Sequence, residues 1–335
     1  MGWQLAFALL QVQVPGVPER RITDIFDPLA SPAEYEARIG VLTIVITGLI
    51  FVTVASLISY TIWRFRRRPG DDIHQEPAQV YGSNQIEIAW TVIPILIVFI
   101  LAGVTARVVA GVQDPTIPKS ALNLRVVGHQ WWWEVQYKNF GFTTANEIHM
   151  PVMPDAKSAT FLDLESADVI HSFWVPQLSG KLDLIPNRRN TMWVDPRQKG
   201  VYVGNCAEYC GTQHANMLLR VIVEDPNDFK RWIEDQQRPA VAASQEGAGK
   251  AVFESLSCIS CHVVRGTPAN GKFGPDLTHV ASRQTLAAGA IINNPGKLRD
   301  WVNNPQDAKP GCFMPSLKLT NQQLDQVTAY LETLK

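Results

Sequence analysis

Two long segments without a charged side chain restrict the possible folds more than any other feature. Residues 39–63 read IGVLTIVITGLIFVTVASLISYTIW, and residues 88–106 read IAWTVIPILIVFILAGVTA. An α-helix needs about 20 apolar residues to cross a bilayer, so each segment is long enough to span one. A buried core helix is the alternative, and these lengths disfavour it. The sequence therefore predicts a transmembrane helical hairpin over residues 39–107, with a kink at Pro94 that neighbouring helices accommodate.

The charges between the two segments predict their orientation. The connection opens with Arg64, Arg66, Arg67 and Arg68, and short loops rich in Arg and Lys stay on the cytoplasmic side. Both termini and everything after Arg107 are then expected on the outer side of the membrane. The formal net charge of −1 gives no indication of a nucleic-acid partner.

The N-terminal segment, residues 1–38, is harder to interpret. Residues 1–14 are weakly apolar and lack the basic start of a signal peptide. The remnant of a signal peptide and an additional interfacial segment both stay open.

Beyond Arg107 the pattern changes to short segments of alternating polarity. Leu122, Leu124 and Val126 alternate with Asn123 and Arg125, and Pro, Gly and Asn separate the segments that follow. Regularly spaced short strands are typical of a β-sandwich or barrel, which we expect over residues 115–236, closed by a short helix at 229–232. The other candidate strands are 132–137, 160–164, 191–194, 202–205 and 218–223.

Four soft or imidazole ligands occupy the loop between the last two predicted strands. Residues 206–217 read CAEYCGTQHANM and contain Cys206, Cys210, His214 and Met217. Thiolate, imidazole and a weak Met ligand suit copper electron-transfer sites, and two Cys in one loop can both bridge a pair of copper ions. A Cys206–Cys210 disulfide is the alternative. A second copper His is not selected by the residues themselves, because His129, His149 and His171 all qualify.

A second redox motif lies in the last part of the chain. Cys258, Cys261 and His262 form C-x-x-C-H, the pattern of covalent c-type haem attachment in which the His ligates iron. A zinc or thiol–disulfide CxxC gives a similar pattern. The sixth iron ligand is expected at Met314, the only Met after His262, with His279 as the alternative.

A linker of small residues, 237–246, separates this haem motif from the predicted sandwich. The domain that follows, residues 247–335, ends in a predicted helix, which a capping box at Thr320 and Gln323 opens. The helix has apolar residues at helical spacing, namely Leu324, Val327, Leu331 and Leu334. Cys312 is the fifth and unassigned cysteine, and we expect it to behave as a small buried hydrophobe.

Together these motifs resemble a known family. The pattern C-x-E-x-C-G-x-x-H-x-x-M at 206–217 resembles the binuclear copper (CuA) loop of subunit II of haem-copper cytochrome c oxidases. The stretches GHQWWW at 128–133, DVIHSFWVP at 168–176 and EIAWTVIP at 87–94 are similar to other parts of that subunit and occur in the same order. The resemblance implies a cupredoxin fold for the sandwich. The C-terminal domain resembles an all-α class I cytochrome c. The whole chain is therefore similar to subunit II of a caa-type bacterial cytochrome c oxidase, which implies a plasma-membrane protein with both redox domains on the outer, periplasmic side.

The resemblance also implies roles for particular residues. It places copper on His171, Cys206, Cys210, His214 and Met217, with the main-chain carbonyl of Glu208 as a further ligand. Three further roles follow: the Glu208 side chain at a magnesium ion shared with subunit I, Trp131 where electrons enter toward copper, and Glu87 at a proton path. Each residue has a plainer alternative. Glu208 can be a solvated loop carboxylate, Trp131 a core aromatic, and Glu87 a carboxylate that is favourable at a helix N-terminus.

The function implied is electron transfer within an oxidase. Electrons from a donor such as a cytochrome c or a cytochrome bc complex would pass through haem c and CuA to subunit I, where oxygen is reduced and protons are translocated. The expected partners are subunits I and III and membrane lipid, and no residue of this chain acts as a catalytic acid, base or nucleophile. The copper-containing subunit of a nitric oxide reductase and a stand-alone membrane-anchored electron carrier are the alternatives, while the copper ligands disfavour a quinol oxidase.

Overall fold

The structure is a computed structural model that describes residues 25–72, 76, 79, 81–113, 121–153, 158–240 and 247–335. The segment for which a signal-peptide remnant was considered, residues 1–14, lies outside the described residues, as does most of the predicted linker, at 241–246. Two compact units are distinguished, one of them the segment 34–114 and the other the rest of the chain.

Two long helices contain the charge-free segments. Helix α1 spans Ser31–Arg64 and helix α2 spans Asn84–Gln113, so both extend beyond the apolar stretches. Hydroxyl groups in α1 are satisfied within the helix, because Thr43, Thr47 and Thr53 donate to main-chain carbonyls four residues earlier at 2.8 Å. A helix in lipid needs this internal pairing of polar groups. The predicted pair of spans is confirmed.

Ten strands form two five-stranded sheets, which confirms the predicted β-sandwich. The first sheet has the order β3-β2-β1-β5-β8 and the second has the order β4-β10-β9-β6-β7. The strands are β1 (Asn123–His129), β2 (Trp132–Tyr137), β3 (Phe142–Ala145), β4 (Glu147–Pro151), β5 (Thr160–Ser166), β6 (His171–Trp174), β7 (Leu182–Leu184), β8 (Asn190–Val194), β9 (Gly200–Cys206) and β10 (Leu218–Glu224).

The core lies between the two sheets. Alternate residues of β2 point inward, so that Trp133 and Tyr137 are fully buried, and they meet Phe173 and Tyr202 from the second sheet in one apolar cluster. Helix α3, Pro226–Gln237, adds Phe229 to this cluster. The short helix predicted at 229–232 is therefore the middle of a longer one.

The C-terminal domain is mainly helical, as expected. Its last helix packs against α4 and α6, and the capping box on Thr320 and Gln323 is present. Leu324, Val327 and Leu331 are buried, as their spacing predicted. The elements are α4 (Ala248–Ser255), α5 (Cys258–Cys261), β11 (Thr285–Leu286), β12 (Ile291–Ile292), α6 (Pro295–Asn303), α7 (Pro305–Ala308) and α8 (Asn321–Thr333).

Candidate metal centres

Strand pairing brings the candidate copper ligands together. Strand β9 ends at Cys206 and β10 begins at Leu218, so the motif forms the loop between two antiparallel neighbours. On its other side β9 pairs with β6, where Phe173 lies opposite Cys206. This pairing places His171, at the start of β6, beside the loop.

Sulfur and nitrogen atoms converge at the base of this loop. The Sγ atoms of Cys206 and Cys210 lie 3.8 Å apart, and both cysteines are free thiols. The Nδ1 atom of His171 lies 3.9 Å from Cys206 Sγ, and the Nδ1 atom of His214 lies 3.6 Å from Cys210 Sγ. The Sδ atom of Met217 is 3.8 Å from Cys210 Sγ. The two thiols thus lie between two imidazoles, and each sulfur atom has one imidazole Nδ1 beside it.

Main-chain groups complete the surroundings of the thiols. The carbonyl oxygen of Glu208 lies 3.2 Å from Cys206 Sγ. The carbonyl of Cys210 accepts hydrogen bonds from Gln130 Nε2 at 2.7 Å and Trp131 Nε1 at 2.9 Å. Because two side chains before β2 hold this carbonyl, the loop conformation is fixed from the neighbouring sheet.

His171 is fully buried and held by a carboxylate. Its Nε2 atom is 2.8 Å from Asp168 Oδ1, which leaves Nδ1 directed at the thiols. Carboxylates of this kind orient metal-binding imidazoles and increase their basicity. Burial by itself lowers the pKa of His171, but hydrogen bonding to Asp168 and to Cys206 outweighs burial and leaves the pKa raised.

Gly128 provides the space for this imidazole. A Cβ atom at Gly128 would lie only 2.7 Å from His171 Cδ2, a separation that real contacts do not show. The strand β1 can therefore pass under the ring only because this position has no side chain.

The two thiols are electrostatically linked. Contact with Cys210 lowers the pKa of the Cys206 thiol to about 3, whereas contact with Cys206 and burial raise the pKa of Cys210. The Cys206 thiolate thus forms readily, and its negative charge opposes ionisation of the Cys210 thiol. A bound cation removes that opposition, because a coordinating thiol is deprotonated by the metal.

The other two candidate histidines lie elsewhere in the sandwich. His129 stacks on Trp132 with ring centroids 4.3 Å apart, and His149 Nδ1 lies 3.0 Å from Glu224 Oε2. Among the described residues, the group of His, Cys, Asp and Glu side chains placed to hold a metal consists of His171, Cys206 and Cys210. The geometry therefore distinguishes between histidines that the sequence left equivalent.

The C-x-x-C-H motif opens onto an apolar cavity of about 390 Å³. Cys258 and Cys261 form the single turn α5, and His262 follows it directly. The cavity walls include all three residues and also Met314. Further apolar lining comes from Phe273, Leu277, Val280, Leu286, Leu298, Trp301, Val302, Phe313 and Leu331.

His262 is arranged as a metal ligand. Its Nδ1 lies 2.8 Å from the carbonyl oxygen of Pro275, and because a carbonyl only accepts, Nδ1 carries the proton and Nε2 is free. Burial lowers the pKa of this imidazole and so favours its neutral form. Gly274 passes beneath the ring, where a Cβ atom would lie 2.6 Å from His262 Cε1.

Met314 and His279, the two candidates for the sixth ligand, lie in different places. Met314 lines the cavity, whereas His279 is buried with its Nε2 3.0 Å from the carbonyl of Arg238 and is not part of the lining. Cys312 also lines the cavity and is half-buried, accepting a hydrogen bond from Gln306 Nε2 at 3.4 Å. The expectation of a small buried hydrophobe at Cys312 is met only in part, because this residue is half-buried and lines the cavity.

The remaining candidates differ in their surroundings. Trp131 is buried, 7% exposed, and stacks on Phe313 of the C-terminal domain with ring centroids 5.3 Å apart. Glu87 lies in the first turn of α2, where its carboxylate covers Gly82. Glu208 is half-buried in the loop. Sequence reasoning missed Lys309 and Phe313, which contact the copper loop and Trp131 from the C-terminal domain.

The residues present fit the two implied groups. The converging atoms of the loop are two thiols, two imidazoles, a thioether and a carbonyl, a soft donor set suited to copper. The cavity combines two thiols, an imidazole with a free Nε2 and a thioether with apolar walls, as a covalently attached haem requires.

Three family models match this chain. "Cytochrome C oxidase subunit II, transmembrane domain" matches residues 25–108, "Cytochrome C oxidase subunit II, periplasmic domain" matches residues 142–224, and "Cytochrome c" matches residues 247–335.

Two relatives match nearly the full length of this chain. Cytochrome c oxidase subunit 2 of Alkalihalophilus pseudofirmus is 34% identical over 319 residues, which is 92% of this chain and 90% of that protein. The Bacillus subtilis subunit 2 is 29% identical over 329 residues, with the same coverage of both chains. This chain therefore belongs to the cytochrome c oxidase subunit II family, as a membrane subunit of a haem-copper oxidase with two spans, a CuA-type copper site in its periplasmic domain and a fused cytochrome c domain.

Proposed function

We propose that the binuclear copper site consists of His171, Cys206, Cys210, His214 and Met217 with the carbonyl of Glu208. The observation that carries this proposal is the 3.8 Å separation of two free thiols between two imidazole Nδ1 atoms. Two thiolates at this spacing would hold a pair of copper ions together, and the imidazoles of His171 and His214 would complete their ligation. The buried position of Met217 behind Cys210 suits a weak thioether ligand.

We further propose that Cys258 and Cys261 attach haem c covalently, with His262 and Met314 as axial ligands. The tautomer of His262 fixed by Pro275 and the position of Met314 on the same cavity support this assignment. When bound, haem and copper each take up and release single electrons. The chain itself holds them in apolar surroundings, which limits access of water and, with Met/His ligation, raises the haem potential.

Trp131 is the proposed residue through which electrons reach copper. Its indole Nε1 donates to the carbonyl of Cys210 at 2.9 Å, and its ring stacks on Phe313, the neighbour of Met314. These contacts run from the edge of the haem cavity to a proposed copper ligand. The fused cytochrome domain is therefore the proposed immediate donor to copper, supplied in turn by an external cytochrome c or cytochrome bc complex.

The proposed topology has the connection after Arg64 in the cytoplasm and both redox domains on the outer side. The four arginines at residues 64–68 support this orientation. Subunits I and III and membrane lipid are the proposed partners along α1 and α2, whose large apolar side chains are exposed in the isolated chain. Glu87, at the start of α2, would serve proton delivery to subunit I.

A magnesium ion at Glu208 is part of the same proposal. Among the described residues, Glu208 is not in a group of three metal-binding side chains. The ion is proposed to be shared with subunit I, as the family resemblance implies.

Purification of the intact complex tests the proposed function. Copper and haem analysis, optical and electron paramagnetic resonance spectra, and oxygen uptake with a reduced cytochrome c as donor are the measurements. Two coppers and one haem c per copy of this chain, with oxygen uptake, are expected. Nitric oxide reduction without oxygen uptake would identify the reductase alternative, and neither activity would indicate a stand-alone carrier.

A further inference from the structure

The cytochrome domain meets the copper loop through two of its segments, residues 284–289 and 309–313. The main-chain amide of Leu218 donates to the carbonyl of Ala288 at 3.0 Å, and Gln213 Nε2 donates to the carbonyl of Pro310 at 2.7 Å. These bonds flank His214 and Met217, two of the proposed copper ligands. The copper loop and the residue that follows it thus take part in the contact between the domains.

A buried lysine lies at the centre of this contact. Lys309 is only 3% exposed, and its Nζ atom donates to the carbonyls of Trp131 at 2.8 Å, Asn216 at 2.9 Å and Ala287 at 3.2 Å. An ammonium group has three donors, so all of them are used. Burial lowers the pKa of Lys309 to about 8, which still leaves it a cation at neutral pH.

The three carbonyls belong to three different parts of the redox unit, by which we mean the sandwich and the cytochrome domain together. Trp131 precedes β2, Asn216 lies in the copper loop, and Ala287 follows β11 of the cytochrome domain. A neutral apolar side chain at position 309 would leave these buried acceptors unpaired, which is costly. The charge therefore has a connecting role that packing alone does not supply.

A buried carboxylate makes the reciprocal contact. Glu147, the first residue of β4, is 3% exposed and accepts hydrogen bonds from the amides of Gln284 and Thr285 at 3.0 and 2.8 Å. The hydroxyl of Thr285 donates to the same carboxylate at 2.7 Å. Each domain thus contributes one buried charge that binds polar groups of the other.

The backbone between these two contacts is strained. Ala287 and Ala288 have φ angles of 53° and 58°, in the left-handed region that residues with a side chain seldom adopt. Such conformations persist where surrounding interactions fix them, and they occur preferentially at functional sites. Here the carbonyl of Ala287 accepts a hydrogen bond from Lys309, and the carbonyl of Ala288 accepts one from the amide of Leu218, directly after the copper loop.

We propose that Lys309 is a positioning residue which, together with Glu147, latches the cytochrome domain onto the copper loop so that Phe313 stays against Trp131. The inference rests on the proposed function, because it concerns the transfer of electrons from haem c to copper. In that step one electron leaves the reduced haem, which is oxidised, and reduces the copper pair, and no bond or proton is exchanged. The rate depends steeply on the separation of the centres, which the latch keeps short.

The latch has a consequence for the external donor. Trp131 is covered by its own cytochrome domain and is therefore closed to a second protein. The external donor must deliver electrons to the haem of the fused domain.

Lys309→Met and Glu147→Gln in the full chain, within the purified complex, test the proposal. Lys297→Met is the matched control, because Lys297 lies in the same domain with its side chain 57% exposed. Amide hydrogen exchange at Leu218 and Thr285 reports docking independently of the metals. Flash reduction of haem c then gives the rate of transfer to copper, and optical spectra show that both centres are assembled.

Both latch variants are expected to speed exchange at these amides and to slow haem-to-copper transfer about tenfold or more, which corresponds to about 1.4 kcal/mol. Lys297→Met should match the parent in both measurements. Parental exchange and transfer in Lys309→Met, with both spectra intact, would overturn the proposal. If that variant does not assemble, parental values in Glu147→Gln overturn it instead. A parent complex without copper or haem spectra would refute the proposed function. The exchange data would still show whether Lys309 and Glu147 hold the cytochrome domain against the copper loop.

Discussion

The position of His171 depends on a residue that makes no bond to it. Gly128 lies directly under the imidazole, and an added Cβ atom would overlap the ring at 2.7 Å. The Gly128→Ala variant should therefore displace His171 and lose much of its copper, while covalent haem c is retained. Copper analysis of the purified complex, with the haem c absorbance as internal reference, measures this effect.

Gly296→Ala is the control for this change. At Gly296 the nearest atom to an added Cβ is 3.6 Å away, an ordinary contact. Its copper content should equal that of the parent. Full copper in Gly128→Ala would mean that the imidazole has another position available, and the assignment of His171 would then be in doubt.

Cys210 is the thiol on which most of the candidate ligands converge. Its Sγ lies within 3.8 Å of Cys206, His214 and Met217. Cys210→Ser removes one of the two thiolates proposed to hold the copper pair, so the delocalised mixed-valence spectrum of the oxidised site should collapse. Electron paramagnetic resonance of the purified variant tests this prediction, and a retained binuclear spectrum would refute the ligand set.

Met314 is predicted to ligate the haem iron opposite His262. Since Met/His ligation raises the haem potential, Met314→Ala should lower the midpoint potential of haem c and weaken the absorption band of the Met–iron bond. Optical redox titration measures both. If the band is unchanged, the ligand is another residue, and His279→Ala is the next variant to examine.

At the scale of elements, strand length alone does not separate the strands that were predicted from those that were missed. The predicted segments at 132–137, 160–164, 191–194, 202–205 and 218–223 correspond to β2, β5, β8, β9 and β10. Strands β3, β4, β6 and β7 have three to five residues each and were missed, because segments of this length hold only one or two periods of a two-residue pattern. The missed strand β6 carries His171, and its pairing with β9 gives a structural reason, besides the family resemblance, to distinguish this histidine from His129 and His149.

The contact between the domains was beyond sequence reasoning for a different reason. Lys309 lies in a loop with Pro, Gly and Asp nearby, where a lysine is ordinarily solvated. In the structure Lys309 is buried with its ammonium group on the carbonyls of Trp131, Asn216 and Ala287. These residues are distant from position 309 in the sequence and distant from one another. By contrast, motifs with fixed local spacing, such as C-x-x-C-H and the copper loop, were apparent because the ligands are near neighbours in the chain.

Helix α8 offers a test of local stabilisation in the cytochrome domain. The Thr320 hydroxyl accepts from the amide of Gln323 at 3.2 Å, and the Gln323 side chain accepts from the amide of Thr320 at 3.0 Å. Thr320→Ala should lower the stability of this domain by about 1 kcal/mol, the usual contribution of an N-cap. Denaturant unfolding followed through the haem absorbance measures the change, and Gln323→Ala, which retains the Thr320 hydroxyl, should cost less. An unchanged midpoint in Thr320→Ala would show that packing of α8 against α4 and α6 suffices without the cap.

At the scale of the whole molecule, the chain combines a membrane hairpin with a redox unit in which a sandwich and a cytochrome domain share buried contacts. The order of these parts was predictable, because each carries its own pattern: charge-free spans, alternating strands and a haem motif. The side of the membrane on which the redox unit lies stays a prediction from Arg64, Arg66, Arg67 and Arg68. A single variant of the membrane hairpin tests the proposed proton path.

Glu87 is that position. It lies in the first turn of α2, shortly after the arginine-rich connection, while the sandwich follows the other end of the same helix at Gln113. A helix of 30 residues is about 45 Å long. Glu87 lies near the first end of α2, and the chain continues to the redox unit from the other end. An ionisable residue at a membrane boundary is a functional candidate, here for proton uptake from the cytoplasm.

Glu87→Ala should therefore slow steady-state oxygen reduction by the intact complex and leave haem c-to-copper transfer unchanged. Proton delivery limits turnover, whereas the first electron step takes place within the redox unit and requires no proton from the opposite side. Oxygen uptake and flash photolysis on the same preparation separate the two rates, and Glu87→Asp, which keeps the carboxylate, should recover part of the turnover. If turnover is unaffected, Glu87 serves only as a favourable carboxylate at the start of α2. If the first electron step slows instead, Glu87 affects the redox unit, and its proposed role in proton delivery is wrong.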